Sequence, residues 1–351
     1  MGQGQDGQAA EEVGEQLVQG FHGMNSITKY PSTNRQPLSI QRSHPGNMNQ
    51  DHNTPLFALD FETTGLSPSF DRVVEIGLAG PRPYHALISD APPSSPGAQA
   101  CHGITQAELQ RKGLPEEEAF QGLLEALGEG PVRIVCHNAL FERSFLEQWA
   151  KRLGRELPGI QWLCSLELAR EVCRDFTLPR ALENLAWLLG LDHGALHRAP
   201  ADAELTLKVH EALQAWAQVK GALGDRDFLV YLAGPLRGDG TAEDIRHNQT
   251  RMLLQARWAQ AVLPKATLMV PHANFAFLDE SQDRDGRIRG LALRGCEKVL
   301  SRCDAMVLCG RELSPGMAME QRLAKNLRIP TLQVPGWDGR PAVEAREEGV
   351  A

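Results

Sequence analysis

Residues 59–65 read Leu-Asp-Phe-Glu-Thr-Thr-Gly. An apolar run that ends in carboxylates at positions i and i+2 constrains the fold sharply. Side chains alternate across a strand, so Asp60 and Glu62 leave the same face. Carboxylates are seldom buried without a cation or a metal beside them. The chain must therefore hold two like charges together at the end of a core strand, which suits a divalent-cation site better than it suits packing. Alone, Asp-x-Glu is also common in solvated loops, so the rest of the sequence has to decide.

The hydrophobic pattern divides the 351 residues into two α/β stretches. Residues 1–53, rich in Gln, Asn, Gly and Ser with few large apolar side chains, read as a disordered leader. From 54 to 218 the pattern predicts strands over 57–61, 73–79, 84–88 and 132–136. Helices are predicted over 115–127, 140–153, 165–173, 180–189 and 201–218. Strands first and helices after imply a mixed sheet with helices packed on it. Residues 219–226 read as a linker. From 227 to 338 the order becomes strand 228–233, helix 243–262, strand 267–270, helix 287–302, strand 305–309, helix 316–327 and strand 331–334. That alternation implies a mainly parallel, doubly wound Rossmann-like or flavodoxin-like sheet, whose ligands sit at the carboxyl ends of the strands. Residues 339–351 read as a flexible tail. No internal repeat of 20–50 residues is present.

Composition narrows the function classes. No apolar run reaches the roughly 18–20 residues that span a bilayer, and no secretory signal pattern opens the chain. The seven cysteines form no Cys-x-x-Cys pair, which points to reduced thiols and a cytoplasmic protein rather than a disulfide framework or zinc site. A net charge of −8 argues against broad nonspecific duplex binding. It is compatible with an enzyme that grips a few nucleotides through metal ions.

Three further clusters follow Asp60 and Glu62. They are His102-Gly103-Ile104-Thr105, then His137-Asn138-Ala139-Leu140-Phe141-Glu142, then His197-Arg198-Ala199-Pro200-Ala201-Asp202. With these motifs in this order, residues 55–218 resemble the DnaQ-like 3′–5′ exonucleases. They are closest to the DEDDh subclass, whose last motif carries a histidine five residues before its aspartate. The resemblance implies a ribonuclease H-like mixed sheet and a two-metal site for Mg²⁺ or Mn²⁺. Such chemistry needs hard oxygen ligands holding ions about 3.5–4 Å apart. It further implies that Asp60 bridges both ions, that Glu62 and Asp202 assist at the ion carrying the attacking water, and that His197 is the general base. An imidazole titrating near pH 6.5 suits that role. Thr63 and Leu66 would hold the terminal nucleotide, with Phe141 packed under it. One position departs from the pattern. Where the family places aspartate, this chain has Glu142, which keeps the charge on a longer stem and either still ligates the second ion or weakens it. His102 is expected to cap a turn, and His137 and Asn138 to lock the strand–helix turn after 136.

Residues 228–336 carry a second set: Tyr231-Leu232-Ala233-Gly234-Pro235, then Cys303-Asp304-Ala305, then Ser314-Pro315-Gly316-Met317-Ala318-Met319-Glu320. This resembles the nucleoside 2-deoxyribosyltransferase-like superfamily. The resemblance implies a nucleotide held near Ser314 and Gly316, with Glu320 as a nucleophile positioned by Tyr231. Gly234 and Asp304 are further site candidates. The family's aspartate eight residues before Asp304 is replaced here by Cys296, with Glu297 beside it. The expected protein is thus a metal-dependent 3′–5′ exonuclease acting on single-stranded DNA or RNA ends, fused to a domain that binds or hydrolyses nucleotides. The rival reading is a nucleotide-sensing regulator whose C-terminal domain controls or replaces a weakened nuclease. Neither DNA over RNA nor a homo-oligomer over a monomer follows from the sequence.

Overall fold

The structure, a computed structural model, describes residues 54–173, 177–194, 196–224, 226–238, 240–278 and 285–336. The expected leader and tail lie outside these residues.

Strand β1 (Leu56–Thr63) alternates apolar Phe57, Leu59 and Phe61 with Ala58, Asp60 and Glu62, the period-two pattern that sends each set to its own face. It runs antiparallel to β2 (Val73–Ala79) and parallel to β4 (Val132–Cys136). With β3 (Tyr84–Leu87) and β5 (Ile160–Cys164) the sheet has the order β3-β2-β1-β4-β5. Strand β5 was not anticipated: four of its residues are half-buried and Gln161 is exposed, so no clear alternation marks it.

Helices α1 (Pro96–His102), α2 (Gln106–Lys112) and α3 (Glu116–Leu127) connect β3 to β4, and α4 (Ala139–Leu153) connects β4 to β5. Phe57, Leu59 and Phe61 pack there with Phe120, Leu123, Phe145 and Trp149. Helices α5 (Ser165–Val172), α6 (Leu182–Leu189) and α7 (Ala199–Leu223) complete this lobe. The opposite sheet face is built from small residues, and Ala58, Ala79 and Val135 receive Ala203 of α7. The fit is tight at Gly77, where a Cβ would lie 2.0 Å from the Ala199 carbonyl oxygen. Glycine is the one residue that lets α7 descend this far onto β2.

The second lobe contains β6 (Leu229–Ala233), α8 (Ala242–Val262), β7 (Thr267–Met269), α9 (Pro271–Asn274), α10 (Arg287–Leu300), β8 (Ala305–Cys309), α11 (Pro315–Asn326) and β9 (Thr331–Val334). All its strand pairs are parallel, in the order β7-β6-β8-β9. Tyr231, Ala233, Met306 and Leu308 face α10 and α11. Val230, Leu232 and Val307 face the other way, into a core shared with Leu185 and Leu189 of α6 and with Leu205, Val209, Leu213 and Trp216 of α7.

That shared core corrects the expected linker at 219–226. Val219 and Leu223 are buried in it and belong to α7, which runs unbroken to Leu223. The apolar spacing Leu213, Trp216, Val219, Leu223 continues the helical stripe. Gly224, at φ 68°, then ends the helix.

Candidate active site

The β1–β2 register sets the site. Asp60 pairs with Gly77 and Glu62 with Glu75, and the register shifts just beyond, between Glu62 and Thr63. Helix α7 starts over this same patch and brings Asp202 in its first turn. Carboxylate oxygens of Asp60, Glu62 and Asp202 come within 4.8 Å of one another.

The electrostatics are those of like charges gathered in a small, half-buried space. Burial and then the neighbouring carboxylates, Glu142 foremost, push the Asp60 carboxyl well above its ordinary range. Burial, with Asp202 and Glu75 adding to it, raises Glu62 to about 8 against the pull of Arg198. Asp202 is also raised, chiefly by burial and despite the hydrogen bond from the His197 backbone N–H. Glu142 is buried on α4 and raised to about 8 by burial, with Glu62 adding to it. It is therefore electrostatically part of the cluster while standing outside the three-residue cage. Asp202 Oδ1 and Glu142 Oε2 are buried without a hydrogen-bond partner, and a buried unpaired acceptor is costly. Hard oxygen donors, mutual repulsion and orphaned lone pairs together fit a hard divalent cation.

His197 is exposed and holds a left-handed backbone at φ 66°, a costly conformation for a residue with a Cβ. Its N–H donates to Asp202 Oδ2 at 3.1 Å, and its Nδ1 lies 3.8 Å from the Cys101 sulfur. The next residue, Arg198, forks onto Glu75, a carboxylate with no exposed surface. The Ala199 N–H and His85 Nε2 also bond Glu75. Burial alone would push Glu75 upward, but these partners outweigh it and hold it below the ordinary range. Neither Glu75 nor Arg198 was anticipated as a site residue. The signal was available: Glu75 is the one charged residue in an otherwise apolar strand.

The loop after β1 is closed by Asp71, which accepts from Thr64 Oγ1 at 3.1 Å and from the Ser67 N–H at 2.8 Å. The Thr63 hydroxyl is buried and donates to the Gly65 carbonyl, so its side chain is engaged within the protein. Leu66 and Phe70 are left 66% and 85% exposed, two large apolar groups on a pinned loop. Phe141 packs on Phe145 with ring centres 4.8 Å apart. His102 Nδ1 accepts from the Ile104 N–H, the turn role expected of it. His137 bridges Ser165 Oγ and the Arg180 carbonyl, and burial lowers it to about 4, so it is a neutral lock. Asn138 makes no side-chain cap to α4, contrary to the expectation that it would lock that turn.

In the second lobe a cavity of about 270 Å³ opens at the carboxyl end of β6, lined by Gly234, Pro235, Arg289, Ser314, Gly316 and Glu320 among others. The Tyr231 hydroxyl donates to Glu320 Oε1 at 2.6 Å. Burial raises the Glu320 carboxyl, while Tyr231, Cys296 and Arg289 oppose the rise. Ser314 caps α11 by accepting from the Met317 N–H. Asp304 is elsewhere: it is exposed at the start of β8, where its Oδ2 accepts from the Leu229 N–H. Glu297 is exposed and the neighbouring Cys296 lines the cavity, the consequence of roughly 100° per helical residue.

Comparison with known proteins follows this division. The family described as Exonuclease matches residues 57–210, and a Domain of unknown function (DUF7768) matches residues 228–334. DNA polymerase III PolC-type of Thermotoga petrophila is 32% identical over 215 residues, 57% of this chain and 14% of that protein. The PolC-type protein of Caldanaerobacter subterraneus is 32% identical over 164 residues, 44% of this chain and 11% of its own length. The chain thus spans about a seventh or less of these relatives. Among solved structures, E. coli exonuclease I in complex with a dT13 oligonucleotide aligns at a TM-score of 0.40 and 20% identity, over 48% of this chain and 42% of that one. The likeness to exonucleases is carried by residues 57–210.

Proposed function

We propose that the chain is a metal-dependent 3′–5′ exonuclease that releases nucleoside monophosphates from single-stranded DNA or RNA ends. The observation that carries this is the cage of Asp60, Glu62 and Asp202, in a domain of the exonuclease family. Asp60, Glu62, Asp202 and, on its longer stem, Glu142 would hold Mg²⁺ or Mn²⁺. When bound, such ions supply Lewis-acid stabilisation of the phosphoryl charge and lower the pKa of a bound water.

The chain's own residues do the rest. His197 takes the proton of the attacking water at Nε2, the ring nitrogen turned away from Cys101. The water oxygen bonds to phosphorus and the bond from phosphorus to the 3′ oxygen of the preceding nucleotide breaks. That oxygen leaves with a proton, giving a shortened 3′ end and a nucleoside 5′-monophosphate. Leu66 and Phe70 offer apolar surface on which an unpaired terminal base stacks, with Phe141 supporting the floor. Polarity is tested with an oligonucleotide labelled at its 5′ end. A descending ladder of labelled products supports the reading, and immediate release of labelled mononucleotide overturns it.

A second reading concerns the C-terminal cavity, and the Tyr231–Glu320 pair favours it. A half-buried carboxylate oriented by a phenol, next to the N-terminus of α11, suits a ligand with a sugar and an anionic group. We read it as a nucleotide site, either hydrolytic or sensory. Calorimetry of the full chain with deoxynucleoside monophosphates is expected to show saturable heat that Glu320→Gln weakens. No heat with any of the monophosphates contradicts it.

A further inference from the structure

The connection between α6 and α7 carries His197, and the second lobe grips it. Arg251, on α8, buries all but 7% of its side chain and pairs with Asp192 Oδ1 at 2.7 Å, five residues before His197. The same guanidinium lies 4.4 Å over the Trp187 ring. That indole meets the His193 ring edge-on at 6.3 Å. One turn further along α8, Gln255 Nε2 donates to the Leu189 carbonyl at 3.0 Å, capping the end of α6. Gly190 follows at φ 69°, and a Cβ there would sit 1.9 Å from Gln255 Nε2, so the glycine is seated directly on that amide. At the other end of the connection Arg198 is clamped to Glu75. His197 is therefore suspended between two fixed points, one supplied by its own lobe and one by α8.

We propose that Arg251 is a positioning residue for the nuclease reaction, setting the placement of His197 through Asp192 and Trp187. The C-terminal lobe is thereby part of the nuclease site's scaffold. The strained backbone at His197 needs such over-determination to persist. A displacement of about 1 Å at a reacting group costs up to about a hundredfold in rate. The proposal rests on the reading of His197 as general base.

The test uses the full chain as Arg251→Met, which keeps the apolar stem, and as Arg251→Lys, which keeps the charge. Circular dichroism and melting establish that each variant is folded. The expected result for Arg251→Met is a fall of about tenfold or more in kcat, with KM for a single-stranded oligonucleotide within about twofold. Arg251→Lys should recover part of the loss. Asp192→Asn should lower kcat in the same direction and add little to Arg251→Met, since the two act as one unit. A folded Arg251→Met chain with wild-type kcat overturns the proposal, as does a loss confined to KM. His197→Ala separates the two claims. If it keeps wild-type activity, the general-base reading fails whatever Arg251 does. If it is inactive while Arg251→Met is fully active, only the positioning role fails.

Discussion

The Arg198 guanidinium holds the fully buried Glu75 carboxylate with Nε at 2.9 Å from Oε2 and Nη2 at 2.6 Å from Oε1. This pair ties β2 to the residue that follows His197 and precedes α7. Glu75 lies opposite Glu62 in the β1–β2 register, so the latch sits beside the carboxylate cage and fixes where Asp202 enters it.

Removing one partner leaves the other stranded. Glu75→Gln is expected to destabilise the chain by about 2–3 kcal/mol, somewhat less than the roughly 3–5 kcal/mol of a fully buried broken pair, because Arg198 is 40% exposed. Denaturant unfolding measures the cost, and nuclease rate should fall with it. Glu75 is held below its ordinary range, so its stabilising contribution is present at neutral pH and lost as pH drops below the free carboxyl value through the folded one. Acid unfolding of wild type should therefore be steeper than that of Glu75→Gln.

Glu62 of the cage and its neighbour Glu142 titrate the opposite way. Glu62 and Glu142 are raised to about 8, so between about pH 4.5 and 8 the folded, metal-free chain binds more protons than the unfolded one. Its stability must then fall as pH rises through that window. With a chelator present the Tm should drop from pH 5 to 8. Added Mn²⁺ should restore it most at the higher pH, because metal binding displaces those protons. A Tm in chelator that rises steadily over this window contradicts the account.

Leu66 and Phe70 have no packing role to lose. Their alanine variants should keep the wild-type Tm while KM for single-stranded oligonucleotides rises, for Phe70→Ala by the equivalent of about 1–3 kcal/mol of lost stacking and for Leu66→Ala by less. Steady-state kinetics on oligonucleotide ladders reads this directly.

Gly77 makes a purely steric prediction. Gly77→Ala sets a methyl against the Ala199 backbone, which cannot swing aside as a side-chain end can. A loss of about 1–3 kcal/mol is expected from overpacking, together with weaker metal binding because Asp202 is displaced.

Much of this was legible in the sequence, for physical reasons. The motif strand and both α/β stretches announce themselves through alternation and helical spacing, and Asp60, Glu62 and Asp202 do meet in one cage. Less visible was whatever depends on a distant partner. Strand β5 is short and half-buried. The end of α7 looks like a linker because Gly221 and Gly224 mask an apolar stripe whose partner lies in the other lobe. Glu75 reads as an intruder in an apolar strand until Arg198 arrives from 123 positions away. Asp304 precedes β8, at the end of the sheet away from the cavity, where it accepts from the Leu229 N–H. Among the described residues no helix is long and apolar enough to cross a membrane, as the hydropathy pattern implied.

The central claim is that the Asp60–Glu62–Asp202 cage performs metal-dependent hydrolysis at a 3′ end. Its most direct measurement is mononucleotide release from a 3′-labelled single-stranded oligomer with Mg²⁺ or Mn²⁺, comparing wild type with a folded Asp60→Asn variant. The account predicts rapid release by wild type, none in chelator, and a loss of about a hundredfold to a thousandfold in the variant, the scale of one electrostatic group removed from an active site. Release by Asp60→Asn at the wild-type rate would contradict it.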